Sequence, residues 1–229
     1  MGGFTPLVLV DGIEGSLETV APENIAEISV LKDASAAAIY GTRGASGVII
    51  ITTKAGKRGE RYNVSYSGYG AISDFAKTAD FMDAAYMRSL GEEMSEYTAF
   101  PDLGEDTDWL GLVSRTGWVQ NHNISLEGGT ESMTYSANVS YRQNEGVIKG
   151  SFANDLRAQM DISQYLFNDI LKVRLNMLKS ISESDNQESE HIYHQAVTHN
   201  PTSPVYTKDG DYFEQSAPLY YYNPLPYIT

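Results

Sequence analysis

The chain contains no cysteine. That absence removes disulfide frameworks, thiolate metal sites and cysteine nucleophiles from its 229 residues. Basic residues are also scarce: 16 Lys and Arg stand against 30 Asp and Glu, a formal net charge of −14. Nucleic acid, whose phosphates need a basic face, is not an expected partner. Long hydrophobic runs are missing, the longest being Ala36 to Tyr40. A membrane-spanning helix needs about 20 such residues. The first residues, MGGFTPLVLVDG, lack the basic and long apolar regions of a secretory leader. Tryptophan and phenylalanine are few, at 2 and 7, but tyrosine reaches 16. Tyrosine has an apolar body and a polar tip and suits half-wet surfaces. None of these tests touches a membrane β-barrel, whose strands carry a weak signal one by one.

Residues 1–58 read as a small α/β unit. Leu7 to Val10 is a short buried strand ending at the turn Asp11-Gly12. Pro22-Glu23-Asn24 starts a second turn, and Ile25 to Lys32 alternates as a strand. Asp33 is placed to cap a short helix over Ala34 to Tyr40, its carboxylate accepting the free N–H groups of the first turn. Gly41 can then end that helix in a left-handed conformation. Val48 to Thr53, VIIITT, is β-branched and apolar on both faces at first, which predicts a central strand. Strand, helix and strand in this span make a split βαβ-type unit.

Residues 59–182 change character. In Met133 to Arg142 the odd positions are Met, Tyr, Ala, Val and Tyr, while the even ones are Thr134, Ser136, Asn138, Ser140 and Arg142. Phe152 to Ser163 and Leu171 to Ile181 alternate similarly, with Asn154, Leu178 and Lys179 as exceptions. Arg61 to Ile72 and Trp118 to Gly128 follow the rule less cleanly. Short turns at Gly128–Glu131 and Gln164–Asp169 alternate with longer links at 73–117, 143–151 and 183 onward. Such a rhythm predicts an antiparallel up-and-down meander, and it is the layout of outer-membrane barrels. A soluble curved sheet needs the same alternation, so periodicity leaves both open. If the wall is a barrel, Tyr135, Ala137, Val139 and Tyr141 face lipid and Ser136, Asn138 and Ser140 face the lumen. An arginine would then be tolerated better at Asn138 than at Val139. Within the first long link, Asp80 to Tyr97 reads as an amphipathic helix with Met82, Tyr86, Leu90 and Met94 on one face. Lys208-Asp209-Gly210-Asp211 is a hairpin turn signal.

Signals for chemistry are thin. Gly41-x-x-Gly44-x-x-Gly47 follows a helix and leads into a strand, the reverse of a phosphate cradle. His191, His194 and His199 form a metal-like spacing without the H-E-x-x-H order, so neither zinc nor another cofactor is expected. His122 stands alone on a strand as a surface or wall residue. No paired carboxylate or nucleophile–base pattern argues for an enzyme.

One stretch carries a resemblance. Val30 to Lys54, VLKDASAAAIYGTRGASGVIIITTK, resembles the C-terminal part of the plug domain of TonB-dependent outer-membrane receptors, in the form used by the SusC/RagA family. PLVLVDG at Pro6 to Gly12 and NIAEISV at Asn24 to Val30 resemble the same plug. DTDW at Asp106 to Trp109, QNHNISLEGG at Gln120 to Gly129, Tyr135 to Tyr141 and NEGVIK at Asn144 to Lys149 resemble the family's first barrel strands. Asn200-Pro201, Pro204 to Tyr206 and Asn223 to Leu225 are also similar. The resemblance favours the barrel over the soluble β-rich binding module. It implies an α+β plug remnant in residues 1–58. In 59–229 it implies an antiparallel up-and-down meander of about five strands and their loops, part of a transmembrane β-barrel of about 22 strands.

It further implies a parent in the Gram-negative outer membrane, importing a large nutrient, a glycan or sometimes a peptide. Its expected partners are membrane lipid, a SusD-like surface lipoprotein and TonB, whose box lies outside this sequence. Asp33, Tyr40, Gly41, Arg43, Gly44 and Gly47 take the structural role of the plug motif. By the same resemblance Arg43 faces an acidic residue of the barrel wall.

Overall fold

The structure, a computed structural model, describes residues 6–17, 20–32, 39–90, 101–185, 189–214 and 222–228. The plug part is a four-stranded sheet in the order β2-β1-β4-β3. Here β1 is Leu7–Val10, β2 Ile13–Glu14, β3 Ile25–Leu31 and β4 Val48–Thr53. The β4 strand is central as its sequence predicts, parallel to β1 with Leu7 opposite Val48 and antiparallel to β3. Its side chains alternate between two faces, so each face collects its own cluster. Val48 packs with Leu9, Leu31 and Tyr40; Ile51 packs with Val10, Val20 and Ile25. Burying side chains of this size contributes about 1.5–3 kcal/mol each. At the open edge of the sheet, β3 leaves Ile28 and Val30 half exposed.

The helix predicted over Ala34 to Tyr40, and its cap Asp33, fall mostly outside the described residues. Ile39 and Tyr40 are helical, and Gly41 follows with φ +63°, the expected left-handed stop. Gly41–Gly44 forms a 3₁₀ turn. Gly47 has φ +93°, and a Cβ there would lie 3.2 Å from the Leu31 carbonyl oxygen.

Five long strands follow: β5 Asn63–Ser73, β6 Gly117–Gly129, β7 Met133–Glu145, β8 Phe152–Leu166 and β9 Leu171–Asp185. They form one sheet in sequence order, an antiparallel meander. The strands are longer than the alternation suggested, 13 to 15 residues for β6 to β9. Their ends continue into polar residues, where hydropathy stops reporting on pairing. Both short turns are tight. Thr130 donates its N–H to Met133, and Phe167, Asn168 and Asp169 all take positive φ.

The alternation sorts two faces. One exposes Val64, Tyr66, Trp118, Ile124, Val139, Tyr141, Leu156, Val173, Leu175, Met177 and Ile181. The other buries Asn121, Asn123, Thr134, Asn138, Ser140, Gln159, Asp161 and Ser163. An exposed apolar face and a buried polar one invert the soluble pattern. The expected faces of β7 hold, but the expected tolerance at Asn138 does not. Asn138 is 5% exposed and donates to Asn123 Oδ1 at 2.9 Å and Ser125 Oγ at 2.7 Å. An arginine has no room there. His122 points to the apolar face, with Nδ1 2.8 Å from the Tyr66 hydroxyl.

The chain packs as two compact units. The first holds residues 1–69, 120–142 and 155–182; the second holds 70–119, 143–154 and 183–229. In the second, helices α1 Ala84–Ser89, α2 Trp109–Val113 and α3 Ser189–Thr198 join the loops. Asp83 caps α1 and Asp108 caps α2, each accepting a backbone N–H. The amphipathic helix expected over Asp80 to Tyr97 is corrected. It starts only at Ala84, its buried residues are Ala84 and Met87, and Met82 and Tyr86 are exposed. Residues 91–97 lie outside the described ones. The core of this unit is Trp109, Val113, Ile148, Ile192, Ala196 and Leu225. The hairpin signal at Lys208–Asp211 is realised: Tyr206 and Tyr212 pair across it and Gly210 takes φ +91°.

No helix among the described residues is long and apolar enough to cross a membrane, which says nothing of strands.

Candidate functional site

The first compact unit contains both the plug sheet and the polar face of the wall, and the two meet at a hydrogen-bonded seat. Its centre is Asp11, at the end of β1, with φ +49°. The turn to Gly12 holds the carboxylate beside β4. There Thr53 donates its backbone N–H to Oδ1 at 3.0 Å and its hydroxyl to Oδ2 at 2.6 Å. From the wall, Gln159 on β8 donates Nε2 to the same Oδ2 at 3.1 Å and to Thr53 Oγ1 at 3.0 Å. Its Oε1 accepts Asn24 Nδ2 at 2.8 Å. One neutral side chain therefore ties three plug elements to the wall.

Charge enters from β9. Arg174 donates Nε to Asp161 Oδ2 at 2.6 Å, and its Nη2 lies 3.7 Å from Asp11 Oδ1. The Asp11 and Asp161 side chains are 3% and 7% exposed. Two buried carboxylates share one guanidinium, and the remaining lone pairs are met by Thr53, Gln159 and Asn176. A buried pair stays favourable only when its hydrogen bonds are met in this way; losing one partner costs about 3–5 kcal/mol. Asn121 of β6 adds a further bond to Glu23 of the plug.

Beside the seat lies a cavity of about 420 Å³ lined by Thr52, Lys57, Thr134, Ser163, Tyr165 and Lys172 among others. Its lining is polar and its size ample for water.

Arg58 closes the linker between plug and wall. Its guanidinium forks onto Asp169 at 2.7 and 2.9 Å, and its Nε donates to the Glu131 carbonyl at 2.7 Å. It also stacks 4.3 Å from the centre of the Tyr165 ring. One arginine thus holds both short turns of the meander. Asp169 lies below the usual carboxylate range because of that hydrogen bond, and Arg58 rises correspondingly.

The residues singled out by sequence fall mostly elsewhere. Tyr40 packs on the β1–β4 cluster. Gly41, Gly44 and Gly47 shape the tight link into β4. Asp33 lies outside the described residues. Arg43 pairs with Glu14 of β2, in the plug itself, and both side chains are about 60% exposed. The two-residue strand β2 folds back on β1 and brings Glu14 within reach. The wall strands of this chain supply an arginine, Arg174, to a plug acid, Asp11.

Sequence reasoning did not single out Asp11, Asn24, Arg58, Gln159 or Arg174. The available signal was the polar run Gln159, Asp161, Ser163 on the face opposite the apolar one, which reads the same whether it meets plug or water. His191 and His194 lie on α3 and His199 just beyond it. His191 packs edge-on against Tyr227, and the His199 ring lies tilted against that of Trp109. Among the described residues no cluster of His, Asp and Glu has metal-holding geometry.

An apolar-out, polar-in meander with a small sheet seated on its polar face defines the class: a plugged β-barrel receptor. The comparisons with known proteins agree. The TonB-dependent receptor plug domain matches residues 1–48. The chain is 33% identical over 218 residues to TonB-dependent receptor SusC of Bacteroides thetaiotaomicron, covering 90% of this chain and 22% of that protein. It is 29% identical over 230 residues to TonB-dependent receptor P26 of Formosa agariphila, covering 92% and 22%. Among solved structures, the RagAB peptide transporter is similar at TM-score 0.75 and 23% identity, over 93% of this chain and 29% of that one. The RagAB peptide importer in its open-open state gives 0.63 and 26%, over 79% and 24%. The chain is a segment of a TonB-dependent receptor of the SusC/RagA type. It spans 22% of the length of the curated relatives it matches.

Proposed function

We propose that this chain forms the C-terminal part of the plug, residues 1–58, and the first barrel strands and loops, residues 59–229, of an outer-membrane transporter. In this reading the whole receptor imports a large nutrient, a glycan, working with a SusD-like surface lipoprotein and drawing energy through TonB. The observation that carries it is the inverted sheet. Val173, Leu175, Met177 and Ile181 stand about half exposed on one face of β9, while the plug seats on the polar face of its neighbours. A soluble binding module would bury the first set and wet the second.

The glycan half of the proposal rests on the resemblance seen in the sequence, and the structures named for peptide import supply the competing substrate. The test is deletion of the encoding gene in its host. Growth on neutral oligosaccharides should be lost, growth on peptides kept, and uptake should stop when the proton-motive force is collapsed. Lost growth on peptides alone would transfer the reading to peptide import. Uptake indifferent to the proton-motive force would refute TonB coupling.

A further inference from the structure

The two short turns of the meander differ in chemistry. Residues 128–132, where β6 passes into β7, read Gly-Gly-Thr-Glu-Ser, a composition suited to water. Residues 166–171, where β8 passes into β9, read Leu-Phe-Asn-Asp-Ile-Leu. Phe167 is 72% exposed, and Ile170, at 86%, is the most exposed large apolar side chain among the described residues. Leu166 and Leu171 are exposed beside them. Single exposed apolar residues are ordinary, but a contiguous group of four marks a contact.

The backbone supplies a second observation. The Ile170 N–H donates to the Phe167 carbonyl oxygen at 3.3 Å and closes the turn. Phe167, Asn168 and Asp169 take φ of +54°, +56° and +70°. Asn and Asp enter this left-handed region readily; a bulky phenylalanine does not. Such strain persists only where something offsets it. The Phe167 ring stands mostly clear of its own chain, so the offset comes from outside it.

The neighbouring wall identifies what covers the turn. Leu166 and Leu171 lead directly onto the outer face that carries Leu156, Val173, Leu175, Met177 and Ile181. Asp169, the one charge in the turn, is held by the Arg58 fork. A protein-docking patch is bounded by a polar rim. This one merges with the apolar wall instead. Strands that close into a barrel are staggered, so neighbouring turns reach different depths.

We propose that the β8–β9 turn is a lipid anchor, with Phe167 and Ile170 inserted among acyl chains below the phospholipid headgroups while the β6–β7 turn stays in water. Because Arg58 clasps Asp169, the linker from the plug is fastened to a turn that the membrane itself holds. The inference rests on the barrel reading above and adds a depth marker to it.

The test uses the full-length receptor in vesicles of phosphatidylethanolamine and phosphatidylglycerol. The chain has no cysteine, so nitroxide labels can be placed singly through Phe167→Cys, Ile170→Cys, Thr130→Cys and Leu175→Cys. Phe167, Ile170, Thr130 and Leu175 are all exposed, so the substitutions leave the packing intact. Collisions with oxygen, which concentrates in lipid, are compared with collisions with a nickel chelate, which stays in water. Position 130 gives the water level and position 175, on the outer face of β9, the lipid level. The expected result is a loss of nickel collisions at 167 and 170 to values closer to those at 175 than to those at 130. Nickel collisions at either position closer to those at 130 overturn the anchor, whether the turn is bare or kept for a protein partner. If position 175 remains oxygen-dominated in that case, the barrel reading stands. Nickel access at 175 equal to that at 130 overturns both.

Discussion

Replacing Gln159 with alanine tests whether the seat holds the plug. The side chain makes three hydrogen bonds, to Asn24, Asp11 and Thr53. Two of the three partners keep other bonds after the truncation. Asp11 still accepts the N–H and hydroxyl of Thr53, and the hydroxyl of Thr53 still donates. The Asn24 amide has no such reserve: its residue is 5% exposed and Gln159 is its side-chain acceptor. One stranded donor costs about 1–3 kcal/mol. At 1.4 kcal/mol per tenfold, the unseated population rises by roughly 5- to 150-fold. The readout is hydrogen exchange of the β4 amides in the full-length receptor, with conductance across a planar bilayer as the functional counterpart. Gln159→Glu should be worse than alanine, because it sets a second carboxylate against the buried Asp11. Exchange and conductance equal to the natural receptor in both variants would show that the plug is held elsewhere, and the seat would be a passive contact.

Further outcomes follow from other features. Val139 is the seventh of the thirteen residues of β7. Val139→Arg should cost about 2–4 kcal/mol of barrel stability at mid-membrane, and Tyr135→Arg, nearer the strand end, about 0–1 kcal/mol. Denaturant unfolding in lipid checks the difference, and equal costs would put the inside and outside of β7 in doubt. Arg58→Lys keeps the charge but loses the fork onto Asp169 and the stacking on Tyr165, so it should behave as Arg58→Ala does. Limited trypsin digestion at Lys57 and Arg61 should speed up equally in both, and natural-like protection in the lysine variant would refute the geometric argument. His199 is held neutral by burial, so the unfolded chain binds the extra proton first. The second unit should therefore lose stability as pH falls below about 6.5, and His199→Phe should flatten that slope. Expressed alone, the chain should pellet or need detergent. β5 and β9 are open sheet edges and the wall exposes its apolar face.

What was legible in the sequence and what was not divide on one physical line. Alternation with a period of two is a property of single strands, so the five wall strands and the two faces of β7 could be read directly. The central place of β4 was legible for a similar reason, since VIIITT can only be buried on both sides. Strand ends were not, because polar residues such as Asn144 and Glu183 continue the pairing without a hydropathy signal. The loop helix was misread: Met82 and Tyr86 have helical spacing, yet Asp83 caps the chain between them and starts the helix one turn later. The seat itself was invisible. Asn24 and Gln159 are 135 positions apart, and nothing local marks a buried glutamine from a wetted one. Arg43, which a motif did mark, pairs with Glu14.

The seat has a consequence for the order of assembly. Its wall residues, Asn121, Gln159, Asp161 and Arg174, all belong to the strands that follow the plug most closely in the chain. The plug therefore need not wait for a finished cylinder before it finds its place. It can dock on the first staves as they pair, at the loop-closure cost of about a hundred to a hundred and sixty residues. A wall extended from β9 would then grow around an occupant already in position, and would close at the free edge of β5.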